Sequence, residues 1–314
     1  MAALVTASSA ETSPTAPGAP AALRPQPQAP DRPAPVSPVT CRSTGDGVLQ
    51  TAVFHLMSMP FTLRLLNAEK GLLEASAREV RALLDRVDAR LSPFRGDSLV
   101  SRFRRGDWDV LLSEADAYEV YALCEHARDV TRGHFDALDG PDWDPTGLVK
   151  GWAVERAFER VLAPALEAGA AEAAALSGGG DMRLGVRAGS PFRWGVGIEA
   201  AEPSARARGE LAGTVRVGDG AVATSGLSKR GEHLRRLGGR DGRAEDDVVQ
   251  ATVVSPSLVE ADLWATAAIS AGVREFSRLV SSYAPVQAAL LVTQDGASHA
   301  VPASSDSPCR LARR

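Results

Sequence analysis

The chain has 314 residues, of which 44% are hydrophobic and 24% are charged, and its formal net charge is −4. This composition allows a sizeable core, and the small negative charge gives no general attraction for nucleic acid or for anionic membranes. No segment approaches the roughly 20 apolar residues that would span a bilayer. The three cysteines have no Cys-x-x-Cys spacing, which argues against a disulfide framework and against a zinc site.

The two ends of the chain differ in composition from its middle. The N-terminal segment is rich in proline and alanine, and such a segment buries too little apolar surface to offset its ordering entropy. We therefore predict disordered tails at residues 1–46 and 303–314, on either side of one folded domain at residues 47–302. Neither a secretory signal nor a lipobox is evident, so cytoplasmic residence is the default expectation, with export left open.

The first half of the domain is expected to begin with strand structure and to continue with helices. Alternating apolar residues predict a strand pair, or one bent strand, within 51–65. Apolar residues at helical spacing predict helices over 72–91 and 114–131, and Gly133 ends the second of these. A third helix is expected to begin near Lys150.

The second half is expected to be mainly strands, and the order of elements indicates the fold class. Helices and strands mix without a βαβ period, which favours an α+β fold with a largely antiparallel mixed sheet flanked by helices. Neither a Gly-x-Gly-x-x-Gly helix start nor a Walker A sequence is present. Strands are predicted at 182–187, 192–198, 212–218, 221–224, 248–255 and 287–293, a loop at 228–247, a helix at 259–273, and at 275–282 a further helix or its continuation.

Asp262 and Thr266 lie four residues apart in a predicted helix, so a carboxylate and a hydroxyl share one face. Two oxygen donors without a neighbouring histidine or cysteine suit a hard cation such as Mg²⁺. The structural alternative is an aspartate favoured by the helix dipole and a threonine bonded to its own backbone. On spacing alone the structural alternative is favoured.

Residues 144–155 run from a turn into a helix, whose free N–H groups could bind an anion. Lys150 lies near this start, where its charge opposes the helix dipole and a phosphate would compensate for it. Gly147 could present its carbonyl at close range. A solvent-facing lysine in an ordinary helix remains the alternative interpretation.

Three further segments combine glycine with polar residues. Gly178, Gly179 and Gly180 precede Asp181 and would let a ligand approach the backbone. Asp136 follows a predicted helix end, and Ser225 follows a predicted strand. Each segment could equally be a plain turn or cap. Among the histidines, His233 in the predicted loop is the nominated base.

Taken together and in order, these segments resemble the ApbE family, the FAD:protein FMN transferases, over about residues 51–296. The run Gly-Leu-Val-Lys-Gly-Trp-Ala-Val-Glu at 147–155 is close to the most characteristic run of that family. The other matching segments are residues 57–61, 91–94, 133–136, 179–181, 194–198, 224–226 and 261–267.

The resemblance implies a reaction and a set of roles. FMN would pass from FAD to a threonine or serine hydroxyl of an acceptor protein that carries a flavinylation motif, with release of AMP. Mg²⁺ would be held by the Gly147 carbonyl, the Asp262 carboxylate and the Thr266 hydroxyl. His233 would act as the base, and Lys150 would contribute to catalysis by adding positive potential. FAD would contact Met57, Ser92, Pro93, Phe94, Asp136, Lys150, Gly179, Gly180, Asp181 and Ser225.

Two departures from the family pattern keep alternatives open. The Asp-Pro that usually follows the histidine is missing after His233, and Gly178 stands where Asn is frequent. The alternatives are an FAD-binding protein without transferase activity, and a Mg²⁺-dependent FAD pyrophosphatase that releases FMN and AMP.

Overall fold

The computed structural model describes residues 40–138, 143–226, 248–281, 283, 285–302 and 311–313. His233 lies outside these described residues. The strands are β1 (Thr40–Thr44), β2 (Gly47–Leu56), β3 (Met59–Leu66), β4 (Ala173–Gly178), β5 (Asp181–Val186), β6 (Trp194–Glu199), β7 (Leu211–Val217), β8 (Gly220–Gly226), β9 (Val248–Ser255), β10 (Ala288–Thr293), β11 (Ser298–Pro302) and β12 (Leu311–Arg313). The helices are α1 (Leu72–Leu91), α2 (Leu99–Arg104), α3 (Val110–Ser113), α4 (Ala115–Val130), α5 (Thr146–Ala157), α6 (Ala163–Glu167), α7 (Pro203–Ala207) and α8 (Leu258–Val280), with a π-helical turn at Phe158–Leu162 between α5 and α6.

Among the described residues, nine strands form one antiparallel sheet, in the order β1-β2-β3-β4-β5-β8-β9-β10-β11. A smaller sheet has the order β12-β7-β6. Helices α1 and α8 pack on the large sheet, and α5 packs against both of them. A second apolar cluster joins the large sheet to β6 and β7 through Trp194, Val196 and Val215. The predicted α+β class with a largely antiparallel sheet flanked by helices is confirmed.

Local sequence accounts for the first elements. Helix α1 buries Leu73, Val80, Leu84 and Leu91, which recur at helical spacing along one face. Strands β2 and β3 form the predicted pair, and their two-residue turn at Met57 and Ser58 has positive φ at both positions. This is the hallmark of a type I′ turn, whose twist matches that of the paired strands.

Several features differ from the sequence predictions. Strand β4 was not predicted, because its sequence Ala-Ala-Ala-Leu-Ser-Gly lacks the β-branched and aromatic residues typical of strands. Helix α5 begins at Thr146 rather than near Lys150, so that lysine lies one turn inside the helix. Strands β1 and β12 lie within the segments 1–46 and 303–314, which were predicted as tails.

Helix α8 shows both predicted helical segments, joined at a kink. Gly272 has φ 72° and ψ 174°, outside the helical region, which suits glycine because it lacks a Cβ. In the described part of the chain, no helix is long and apolar enough to cross a membrane.

Cys124 on α4 is fully buried, and its burial raises the pKa of the thiol to about 12. Cys41 on β1 is exposed. Because the thiolate is the reactive form, we expect native protein carrying Cys309→Ser to react with iodoacetamide at Cys41 and not at Cys124. Peptide mapping by mass spectrometry checks this, and alkylation of Cys124 before unfolding would contradict it.

Candidate functional site

One basic and two acidic side chains meet where β5, α5 and α8 come together. Lys150 forms an ion pair with Asp181, and its Nζ lies 3.4 Å from Oδ2 of Asp262. Lys150 is 9% exposed, Asp181 2% and Asp262 1%. We call these three residues the Lys150 cluster. Its formal charge is −1, and burial makes the interactions between its members stronger than they would be in water.

The sharp turn between β4 and β5 orients Asp181. Gly179 and Gly180 form this turn with φ values of 62° and 103°, a region that glycine enters without steric cost. Gly178 and Asp181 pair directly across the hairpin. The Asp181 Oδ1 atom accepts a hydrogen bond from the backbone N–H of Thr224 at 2.8 Å. The aspartate thus faces Lys150 with one oxygen and β8 with the other.

Thr266 and Ser225 add hydroxyl groups beside the cluster. Thr266 lies one turn after Asp262 on α8, as the sequence predicted, and its Oγ1 lies 3.1 Å from Ser225 Oγ on β8. Ser225 is 1% exposed and Thr266 8%. The helix face that carries Asp262 therefore faces the end of β8.

These donors have the chemistry that magnesium prefers. Asp262, Thr266 and Ser225 offer only oxygen atoms, and Mg²⁺ in proteins is usually held by one or two carboxylates together with water and substrate phosphates. Among the residues that the structure describes, no group of three His, Cys, Asp or Glu side chains could hold a metal. A divalent cation here would therefore need further ligands from hydroxyl, carbonyl, water or substrate oxygens, and the residues present fit Mg²⁺ on those terms.

Helix α5 brings two glycines to the site. A Cβ on Gly151 would lie 3.1 Å from the Leu258 carbonyl oxygen and 3.2 Å from Asp262 Cβ, so α5 and α8 touch at this point. Gly147 lies one turn earlier in α5, where a Cβ would lie 3.0 Å from the Phe135 ring. Its carbonyl is directed along the helix towards the Gly151 N–H and keeps a second lone pair.

The remaining predicted FAD contacts lie elsewhere in the structure. Met57 occupies the β2–β3 turn, and Ser92 ends α1, with Phe94 two residues later 62% exposed. Asp136 is exposed, and its Oδ1 accepts a hydrogen bond from the Leu138 N–H at 2.8 Å. Pro93, half-buried, lies between Ser92 and Phe94. Their roles, like that of His233, stay predictions.

Two charged residues without a predicted role, Glu155 and Arg183, lie on the same two elements as Lys150 and Asp181. Glu155 on α5 accepts a hydrogen bond from Arg183 Nε at 2.8 Å, and both side chains are largely buried. Arg183 lies two residues after Asp181 on β5, so the two side chains share a face of the strand. The alternation of opposite charges at Asp181 and Arg183, next to the glycine turn, is the sequence signal that could have pointed to this ion pair.

The absence of a side chain at Gly178 has a steric reason. A Cβ there would lie 2.6 Å from Phe61 Cε1, and the Phe61 ring is buried and stacked on Phe54. We expect Gly178→Ala to lower the free energy of unfolding by about 1–3 kcal/mol, the usual cost of overpacking.

A matched control is available on another strand. A Cβ on Gly195 of β6 would meet nothing within 4 Å, so Gly195→Ala should leave stability nearly unchanged. Urea unfolding of both variants measures the difference, and equal midpoints would contradict the steric argument.

The fold is shared with flavin transferases of known structure. The flavin transferase ApbE from Vibrio cholerae is 17% identical, and the match covers 86% of this chain and 99% of that one with a TM-score of 0.59. The ApbE protein from Thermotoga maritima is 17% identical, with 79% and 96% covered and a TM-score of 0.63. The flavinyl transferase ApbE from Pseudomonas stutzeri is 18% identical, with 85% and 96% covered and a TM-score of 0.60. The chain therefore has the same fold as these flavin transferases.

The family comparison makes the assignment more specific. The model of the ApbE family matches residues 139–291, a region that contains Lys150, Asp181 and Asp262. No curated protein matches the chain. The family match and the shared fold confirm the resemblance to the ApbE family that the sequence predicted.

Proposed function

We propose that this chain is an FAD:protein FMN transferase, which moves FMN from FAD to a threonine or serine hydroxyl of an acceptor protein. The observation that carries the proposal is the Lys150 cluster beside the hydroxyls of Thr266 and Ser225. It combines a buried carboxylate for a divalent cation with a lysine for a phosphate, as transfer from a pyrophosphate requires. The ApbE family match over the same residues supports it.

Asp262 and Thr266, together with the Gly147 carbonyl, would hold Mg²⁺. When bound, this ion would neutralise charge that develops on the pyrophosphate oxygens during transfer. Lys150 retains Asp181 as a partner and would add positive charge near the same oxygens. The buried position of Lys150 favours this role over that of a solvent-facing lysine.

The proposed reaction is a phosphoryl-group displacement. The acceptor hydroxyl oxygen bonds to the FMN-side phosphorus of FAD, while the bond from that phosphorus to the bridging oxygen breaks. AMP leaves with the bridging oxygen, and the hydroxyl proton passes to a base, for which we propose His233. Lys150 would stabilise the negative charge that develops on the departing AMP.

The remaining part of FAD would be held by residues around this centre. We propose that the glycine turn Gly179-Gly180 lets the flavin nucleotide approach the backbone closely, with Asp181 and Ser225 next to it. Met57, Ser92, Pro93, Phe94 and Asp136 would contact the rest of FAD.

One assay separates transfer from the two alternatives. The protein is incubated with FAD, Mg²⁺ and an acceptor carrying the motif Asp-x-x-Ser/Thr-Gly-Ala-Ser/Thr, and flavin fluorescence on the acceptor is measured in a denaturing gel. Fluorescent acceptor with equimolar AMP is the expected result. Free FMN and AMP without labelled acceptor would indicate a pyrophosphatase. Bound and intact FAD would indicate a binding protein, which is the alternative that the missing Asp-Pro after His233 supports.

A further inference from the structure

A second ion pair runs beside the Lys150 cluster between the same elements. Glu155 on α5 pairs with Arg183 on β5 at 2.8 Å, just as Lys150 on α5 pairs with Asp181 on β5. The charges are reversed, because the helix supplies the acid in one pair and the base in the other. We call the second pair, Glu155 with Arg183, the Glu155 bridge.

Each pair also reaches α8. Lys150 approaches the carboxylate of Asp262, whereas the second carboxylate oxygen of Glu155 accepts the backbone N–H of Leu258, the first residue of α8. Leu258 precedes Asp262 by one helical turn. The first N–H groups of a helix have no partner within the helix, and a carboxylate at this end is favoured by the helix dipole. Glu155 therefore helps to hold the start of the helix that carries Asp262, together with Ser257, whose side chain accepts the Val259 N–H.

Arg183 holds the Glu155 carboxylate in this position. Its Nη1 atom binds Asp219 Oδ1 at 2.7 Å and the Gly220 carbonyl oxygen at 3.0 Å. The guanidinium carbon lies 4.9 Å from the centre of the Phe158 ring. These contacts tie the arginine to β8 and to the π-helical turn, so Glu155 has little freedom to leave Leu258.

We propose that Glu155 and Arg183 are positioning residues for the Asp262 carboxylate, and so for the divalent cation of the proposed reaction. The inference rests on the proposed function for the role of the cation. The close contact between Gly151 and Asp262 supports this inference, since α5 lies directly against this turn of α8 and leaves little space between the two helices. A shift of the α8 start would move Asp262 relative to Lys150 and Asp181.

The test compares Glu155→Ala, Glu155→Gln and a control at a temperature where all variants are folded. Glutamine keeps an oxygen for the Leu258 N–H and loses the charge, whereas alanine loses both. We expect Glu155→Ala to raise the Mg²⁺ concentration for half-maximal activity on the order of tenfold, the size expected when a helix loses a charged cap, and to leave the KM for FAD nearly unchanged. Glu155→Gln should fall in between.

Two measurements do not depend on turnover. Hydrogen–deuterium exchange of the free protein should become faster at the amides of residues 258–262 in Glu155→Ala, and calorimetry should give weaker Mg²⁺ binding. If the wild-type protein shows no transferase activity, the proposed function fails, while these two measurements still decide whether the Glu155 bridge positions α8.

Glu119→Ala is the matched control. Glu119 joins α4 to α5 through Trp152 Nε1 at 2.8 Å and Arg156 Nη2 at 2.7 Å, and among the described residues it makes no hydrogen bond or ion pair with α8. The inference is overturned if Glu155→Ala lowers the melting temperature with no change in Mg²⁺ dependence or in exchange at residues 258–262. It is equally overturned if Glu119→Ala produces the same changes.

Discussion

Asp262→Asn is expected to lower kcat for FMN transfer on the order of 10³-fold, with a smaller effect on FAD binding. The substitution keeps the size of the buried side chain and removes the negative charge that would bind the cation. A bound metal ion supplies several kcal/mol of charge stabilisation in a phosphoryl-transfer transition state, and each 1.36 kcal/mol corresponds to about tenfold in rate. Initial rates of acceptor labelling over a Mg²⁺ titration measure the effect.

A control on the same helix separates loss of the cation from loss of the helix. Glu275 lies beyond the Gly272 kink and pairs with Arg278 at 2.5 Å near the surface. Glu275→Gln should therefore retain the rate and the Mg²⁺ dependence of the wild type. Wild-type turnover in Asp262→Asn would rule out the metal assignment.

Lys150→Met is expected to lower the free energy of unfolding by more than Gly178→Ala does. The lysine side chain is 10% exposed and lies against two buried carboxylates, those of Asp181 and Asp262. Removing one member of a buried ion pair typically costs about 3–5 kcal/mol, because the remaining charge stays buried without its partner. Urea unfolding in the absence of divalent cations should show a loss of about this size.

The same variant tests how the cation would bind. If Mg²⁺ binds near Asp262, millimolar Mg²⁺ should restore part of the stability of Lys150→Met, since a ligand that binds only the folded state stabilises it. Lys70→Met, at an exposed lysine, should unfold as the wild type does. A Lys150→Met protein as stable as the wild type without Mg²⁺ would contradict the proposed electrostatics of the cluster.

The spacing of residues along the sequence predicted the helices and strands of the site better than it predicted the contacts between them. The four-residue spacing of Asp262 and Thr266 was enough to place both on one face of α8, whereas the sequence left open whether residues 275–282 continue this helix. Strand β4 was missed, since its alanine-rich sequence also suits a helix. Its burial in the centre of the sheet, rather than its intrinsic preference, makes it a strand.

The contacts of the site depend on how distant elements pack, which single-sequence patterns do not reveal. Lys150, Asp181 and Asp262 come from α5, β5 and α8, and the packing of the two helices on each other and on β5 brings them together. The Glu155–Arg183 pair was missed for the same reason, although both residues lie in segments that had drawn attention. By contrast, the resemblance to the ApbE family was found from the sequence because it rests on short motifs in order along the chain.

The pairing of β3 with β4 has a consequence for how the chain folds. Leu66 pairs with Ala173, more than one hundred residues further along, and the helices α1–α6 are formed by the chain between them. Closing such a long loop costs entropy before its contacts compensate, and non-local strand pairs form slowly. Because the turn that orients Asp181 follows β4 directly, we expect the charged centre to assemble after this closure. Competence to bind a ligand there should be among the last properties that a refolding chain regains.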